Sequence, residues 1–331
     1  MKLKKCAALL LVSSCLLTGC TTSSAKKVDS KYVVASLEKG NKTKNIFADN
    51  LYKDIIDNSS NNSTVFNAVL QNLVDQKFPV NDDMKEDAAT IIKQIKSAYK
   101  SNYGDNYKDS LNQALTSAGY KNLSEYRQRM IKQIQYANFL LDYIDDHFDD
   151  VFNDYYQQCA PKYVSLIKIS VSDTSSPTDD ETSKLNEVKE LISNTDKSFG
   201  DIAQDYSDDS TSSKKGSLGI VDSKDTSGIA NSYGKDVFNA IESLSEGQVS
   251  DVITGDNGYY FVKVTSTDKK TLKKELKKTD IDSPLLAYDD YLQYVVYNSY
   301  KINYKDKDIK KIVQEVVNKA LEERKTERGE A

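Results

Sequence analysis

The stretch from Tyr163 to Thr265 constrains the fold of this chain more than any other. It opens on YVSLIKIS, a strand pattern that places Tyr163, Ile167 and Ile169 on one face. Leu185, Val188 and Ile192 then recur at helical spacing, as do Phe199, Ile202, Ala203 and Tyr206. Gly216-Ser217-Leu218-Gly219 reads as a turn. Two closing strands follow, a short β-branched one over Val249 to Thr254 and an aromatic-rich one over Tyr259 to Val264, joined by a turn from Gly255 to Gly258. Strand, helices, glycine turn, helix and two strands can cover one another only as a small α+β module.

Helical periodicity flanks that module on both sides. Val65, Val69, Leu73 and Lys77 mark one face behind a Ser63 cap, Pro79 breaks the pattern, and Asn81 begins a helix with acids in its first turn. The strongest helix runs from Asn122 to His147, where Tyr126, Met130, Ile134, Ala137, Leu141 and Ile144 step by three and four. Asn122 with Glu125 is placed to cap it, with Ser124 as the alternative cap. Leu285 to Tyr297 and Asp308 to Arg324 read as further helices. The apolar stripe Ile309, Ile312, Val316 and Ala320 must bury against something, and the N-terminal helices are available. Between them the basic segment 269–278 reads as the solvated face of a linker helix, in preference to a contact with anionic lipid or wall polymer.

The front of the chain points to export. Lys2, Lys4 and Lys5 precede a 12-residue apolar run from Cys6 to Leu17, too short to span a bilayer and suited to a cleaved leader. It ends in Leu17-Thr18-Gly19-Cys20, which resembles a bacterial lipobox; the resemblance implies cleavage before Cys20 and a diacylglyceryl group on its sulfur. Two acyl chains would suffice for stable anchoring. The expected organisation is a signal peptide over 1–19, a lipidated tether over 20–44, a helical region over 45–160, the α+β module over 161–267 and a helical segment over 268–331 that completes the helical domain. Losing those three lysines takes 45 basic side chains to 42 against 50 acidic ones, a formal charge of −8 instead of −5. With no basic stripe interleaved with aromatics, nucleic acid is not expected as a partner. Of four cysteines, Cys6 and Cys15 leave with the leader and Cys20 is lipidated, so Cys159 has no intramolecular partner and is expected half-buried and inert.

Taken together, the helix at Phe199, the run Tyr206-Ser207-Asp208-Asp209, the Gly216–Gly219 turn and the Gly258-Tyr259-Tyr260 strand resemble, in order, the parvulin family of peptidyl-prolyl isomerases over roughly a hundred residues. Lipobox, helical N-terminal region, central parvulin and C-terminal helix together resemble the PrsA-type foldase lipoproteins of Gram-positive bacteria. The resemblance implies a helical domain made from both ends of the chain, with the module inserted, and an isomerase that needs no cofactor and no metal. It also implies a lipid-anchored protein on the outer face of the cell membrane, unfolded or partly folded exported polypeptides as partners, and a homodimer through the helical domain as an open alternative.

Aligned residue by residue, Asp209 falls on the family's Cys/Asp position, with a turn or cap role beside its neighbours Ser207 and Asp208 as the equal alternative, while Leu166 and Tyr260 stand where its two histidines belong. Ile229 and Phe238 fall nearest the apolar clamp that holds the proline ring. The single histidine, His147, sits on an acidic helix end and is expected to be exposed and uninvolved. Weak isomerase activity is therefore expected. The alternative is a binding-only chaperone with a catalytically degenerate module, and a more remote one is a solute-binding lipoprotein, which would show two similar α/β lobes. One histidine and one remaining thiol exclude the usual zinc site, and no Lys-Ser/Thr follows Gly216 to make a phosphate loop.

Overall fold

The computed structural model describes residues 27–39, 42–277 and 280–330. The leader and the proposed lipidation position Cys20 lie outside them. Three short strands come first, β1 (Lys27–Val28), β2 (Lys31–Lys39) and β3 (Lys42–Phe47), followed by α1 (Ala48–Ile56) and α2 (Asn62–Lys77). Next come α3 (Asp82–Tyr103), α4 (Tyr107–Ser117), α5 (Leu123–Asp146) and α6 (Phe148–Cys159). The module itself contains β4 (Lys162–Ser170), α7 (Asp179–Asn194), α8 (Phe199–Tyr206), β5 (Ser217–Val221), α9 (Ile229–Tyr233), α10 (Lys235–Ser243), β6 (Ile253–Gly255) and β7 (Gly258–Ser266). The chain closes with α11 (Lys269–Leu276), α12 (Leu292–Ser299) and α13 (Lys307–Glu327). It divides into two compact units, one spanning Asn81–Asp290 and the other joining the residues up to Val80 to those from Tyr291.

In the second of these units, β1, β2 and β3 form an antiparallel meander. The segment expected as a tether over 20–44 therefore carries ordered strands from Lys27 onward, where alternating Tyr32, Val33 and Val34 suit a pleated backbone. Helix α13 packs on α2. The buried residues of α2 are Val65, Phe66, Leu70 and Val74, so its apolar face is turned by one residue from the expected one and Lys77 is exposed. Phe66 explains the turn: it stacks on Tyr294 at 5.0 Å and meets the edge of Tyr297 at 5.1 Å. Nor does Ser63 cap α2, which begins at Asn62 after a 3-10 turn over Ser59–Asn61.

In the other unit, the capping signals are realised as bonds. Asn81 accepts from the Met84 amide at the start of α3, and Asn122 accepts from the Glu125 amide at 2.9 Å at the start of α5. Cys159 at the end of α6 is fully buried, more than expected. The helix expected from Leu285 is interrupted: a 3-10 turn over Pro284–Leu286 precedes α12, and between them Tyr288 is buried with its hydroxyl donating to Asp154 at 2.7 Å.

The module is a four-stranded antiparallel sheet in the order β5-β4-β7-β6. Alternate residues of β4 point to opposite faces, and both faces are covered. Val164 and Leu166 join Tyr260 and Val262 from β7 beneath Ile229, Val237 and Ile241. Ile167 and Ile169 join Phe261 beneath Leu185, Val188, Phe199 and Ile202 from α7 and α8. Each such fully buried branched side chain contributes about 1.5–3 kcal/mol. Two polar devices and one close backbone approach hold the edges. The Lys162 ammonium donates to the carbonyls of Ile241, Glu242 and Leu244 at 3.0, 2.6 and 3.0 Å, closing the C-terminal end of α10. Fully buried Asp222 accepts from the Tyr155 hydroxyl of α6 at 2.8 Å, from the Thr226 hydroxyl and from the amides of Lys224 and Thr226. Gly216, at φ +75°, lies so close to β4 that a Cβ would stand 2.5 Å from the Leu166 carbonyl oxygen.

Replacing Lys162 by Met leaves those carbonyls without their charged donor, so urea melts of the full chain should show the module losing about 1.5–3 kcal/mol. Gly216→Ala should destabilise it as well, through contact with the β4 backbone, and hydrogen exchange at the Leu166 amide, which donates to Gly216 at 2.8 Å, should accelerate.

Candidate functional site

The β4 and β7 register pairs Leu166 with Val262 and Lys168 with Tyr260, which brings Leu166 and Tyr260 to the same face of the sheet. Helix α9 delivers Ile229 to that face. Its start is fixed by Asp225, whose carboxylate accepts from the amides of Ile229 and Ala230 at 2.5 and 2.9 Å. Ile229, Leu166 and Tyr260 are all buried in one apolar cluster, and Phe238 of α10 packs half-buried against it. The four residues aligned to the clamp and to the absent histidines are thus brought together.

Asp209 reaches the cluster through a residue the sequence reading missed. It caps the 3-10 turn over Ser210–Lys214, its Oδ1 accepting from the Thr211 amide at 2.9 Å. The same oxygen accepts a long hydrogen bond, 3.4 Å, from the Tyr233 hydroxyl. The Tyr233 ring in turn meets Tyr260 edge-on at 6.2 Å. Asp209 is therefore both a turn cap and a member of the site. Tyr233 lies four residues after Ile229, a spacing that puts both on one side of a helical turn, and that was the available signal. The Tyr260 hydroxyl turns instead to Asn257 Oδ1 at 2.8 Å, and Lys168 Nζ stands 5.7 Å from the Tyr260 ring centre.

The electrostatics follow from this geometry. Burial, and then the Asp209 carboxylate, push the Tyr233 phenol well above its ordinary value. Burial first, then Asp209 and Asp256, raise Tyr260 likewise. Both phenols stay neutral donors across the physiological range. The result is an apolar floor of Leu166, Ile229 and Tyr260 with a phenol–carboxylate pair at its edge. His147 takes no part: it is exposed between α5 and α6, stacked on Tyr143 at 4.1 Å. Among the described residues no group of side chains could hold a metal ion, and no helix is long and apolar enough to cross a membrane.

Residues 166–266 match the family described as rotamase, PPIC-type PPIase domain. Over 141 residues the chain is 32% identical to the foldase protein PrsA of Staphylococcus epidermidis, a match covering 40% of this chain and 41% of the relative. The same figures hold for the foldase protein PrsA of Staphylococcus aureus. The chain thus spans, in these matches, less than half the length of the relatives. Among solved structures it is similar to the crystal structure of PrsA from Bacillus subtilis, at 20% identity over 85% of this chain and 97% of that one, with a TM-score of 0.39.

Because the folded state holds Tyr233 neutral above the ordinary phenol value of 10.0, its contribution to stability is fully present below that pH and is lost as pH rises towards the higher folded value. The phenolate absorbance that distinguishes the chain from its Tyr233→Phe variant should therefore appear later than for free tyrosine. In an Asp209→Asn background that transition should move to lower pH, since the repelling carboxylate is gone.

Proposed function

A chain whose residues 166–266 carry a PPIC-type peptidyl-prolyl isomerase domain gives the premise on which we propose a foldase: a protein that binds unfolded polypeptides and turns their X-Pro bonds between cis and trans. The observation that carries this reading is the apolar floor of Leu166, Ile229 and Tyr260 with Tyr233 and Asp209 at its edge. Rotation about an X-Pro bond is opposed by amide resonance, with a barrier of about 18–20 kcal/mol. No bond is made or broken, so a catalyst needs only to seat the proline ring and favour the twisted amide over both planar forms. The ring would lie against the half-buried Tyr233 and Phe238, which this buried cluster backs. Loss of conjugation concentrates electron density on the twisted amide nitrogen, and the Tyr233 hydroxyl, whose hydrogen bond to Asp209 is long at 3.4 Å, is the neutral donor that would exchange that bond for one to the nitrogen. This makes Tyr233, more than Phe238, the aromatic member of the clamp.

The activity we propose is weak. Leu166 and Tyr260 fill the volume of two ring donors without supplying them, and the Tyr260 hydroxyl is already held by Asn257. That same observation favours a second reading, a chaperone that binds without catalysing. We place either activity outside the cytoplasm, anchored through a lipid on Cys20, a proposal supported by the basic and apolar leader and by Leu17-Thr18-Gly19-Cys20.

A refolding assay limited by proline isomerisation separates the two readings. The full chain should accelerate the slow phase, and Tyr233→Ala or Asp209→Ala should remove most of that acceleration while suppression of client aggregation persists. An unaltered slow phase with aggregation still suppressed would establish the binding-only reading. Cys20→Ala should release the protein from membranes or leave it unprocessed; processed Cys20→Ala protein retained on membranes would refute the anchor.

A further inference from the structure

Helix α3 changes character along its length. Its acids, Asp82, Asp83, Glu86 and Asp87, all lie in its first two turns, whereas residues 88–104 contain none and carry Lys93, Lys96 and Lys100. Steps of three and four put these lysines along one side of the helix. Where α3 packs on α5, a groove of about 450 Å³ opens on that side. Ala89, Ile92 and Leu123 make its floor; Lys93, Lys96 and Arg127 stand round it, and no acidic residue lines it. Lys93 and Lys96 make no ion pair among the described residues, and Arg127 donates only to the Lys85 carbonyl oxygen at 3.4 Å. One turn beyond, Tyr99 stacks on Tyr103 at 5.5 Å, and Tyr103 is 52% exposed.

A chain with 50 acidic side chains could have placed one beside these cations, as it does for Lys184, Lys197 and Lys215, which pair with Asp208, Asp205 and Asp201. Left together, the three groove cations create a local positive field on an acidic protein, and such a field selects an anionic partner. The apolar floor narrows the choice. A polyphosphate or nucleic acid backbone would use the cations and leave the accessible apolar atoms of Ala89 and Leu123 without a contact. A bilayer surface would find too few cations and a concave apolar face it cannot enter. A volume of this size suits a few side chains.

We propose that the α3–α5 groove docks client polypeptide segments that combine acidic with apolar side chains, carboxylates meeting Lys93, Lys96 and Arg127 while an apolar side chain lies on Ala89 and Leu123. This rests on the reading of the chain as a foldase, and gives it a substrate class: unfolded segments rich in Asp or Glu interspersed with Leu or Phe.

The test uses fluorescein-labelled 12-residue peptides without proline, so that the isomerase site is not addressed. One alternates Glu with Leu and Phe; its counterpart carries Lys in place of every Glu. Anisotropy with the full chain should show binding of the acidic peptide alone. That binding should weaken at least tenfold in the Lys93→Glu/Lys96→Glu variant, whose changes lie on an exposed helix face, and should be unchanged in Tyr233→Ala. Equal binding of the Lys peptide, or an affinity indifferent to the charge reversal, would overturn the proposal. So would displacement of the acidic peptide by inorganic polyphosphate, double-stranded DNA or anionic vesicles as readily as by unlabelled peptide, which would show a general polyanion surface. Failure of the refolding assay with acidic-peptide binding intact would count against the foldase reading and leave the groove standing.

Discussion

Strand β4 is buried on both faces, and the module depends on that fact. Its alternating residues feed two separate apolar clusters, Val164 and Leu166 on one side, Ile167 and Ile169 on the other. Both clusters draw residues from β4 and β7, so this strand pair couples the two helical layers. The site inherits its geometry from this arrangement. Leu166 is a fully buried core residue that supports the candidate site from beneath, and its backbone is pinned by the Gly216 carbonyl on one side and by the β7 ladder on the other. A pocket built on the least deformable strand of a sheet loses little to motion when a ligand enters.

Much of the fold was legible because its signals are local. The strand at Tyr163, the two helical faces at Leu185 and Phe199, and the Asn122 cap all rest on residues a few positions apart, and each is realised. What escaped depends on partners distant in sequence. The face of α2 turned by one residue because Phe66 is taken by Tyr294 and Tyr297, more than two hundred residues later. The break before α12 follows from Tyr288 being drawn in to Asp154. Tyr233 was overlooked because the irregular stretch ahead of α9 is ordered by Asp225 and Asp222, whose roles as caps no spacing rule reveals.

The histidine positions teach a related lesson. Leu166 and Tyr260, which the resemblance aligns with the family's histidines, share one face of the sheet and supply bulk there without a ring donor. What remains of the polar edge is a phenol and a carboxylate supplied by two other segments, so the catalytic question has moved from the strands to the loops that flank them. One Asp209 oxygen holds both the turn and the edge of the candidate site, since it serves both the Thr211 amide and the Tyr233 hydroxyl.

The order of strands has a consequence for how this protein itself reaches its native state. Strand β4 is made first, yet its main partner β7 is made last; Thr265 closes onto the Tyr163 carbonyl across 102 residues, and Tyr155 waits for Asp222 across 67. Until β7 arrives, one edge of the most apolar strand in the module has nothing to pair with, which makes for slow folding and an interval open to aggregation. A protein proposed to bind the half-folded chains of others would thus be vulnerable in the same way during its own synthesis. With only four prolines in 331 residues, its delay would come from chain topology and scarcely from the peptide-bond step it is proposed to speed in others.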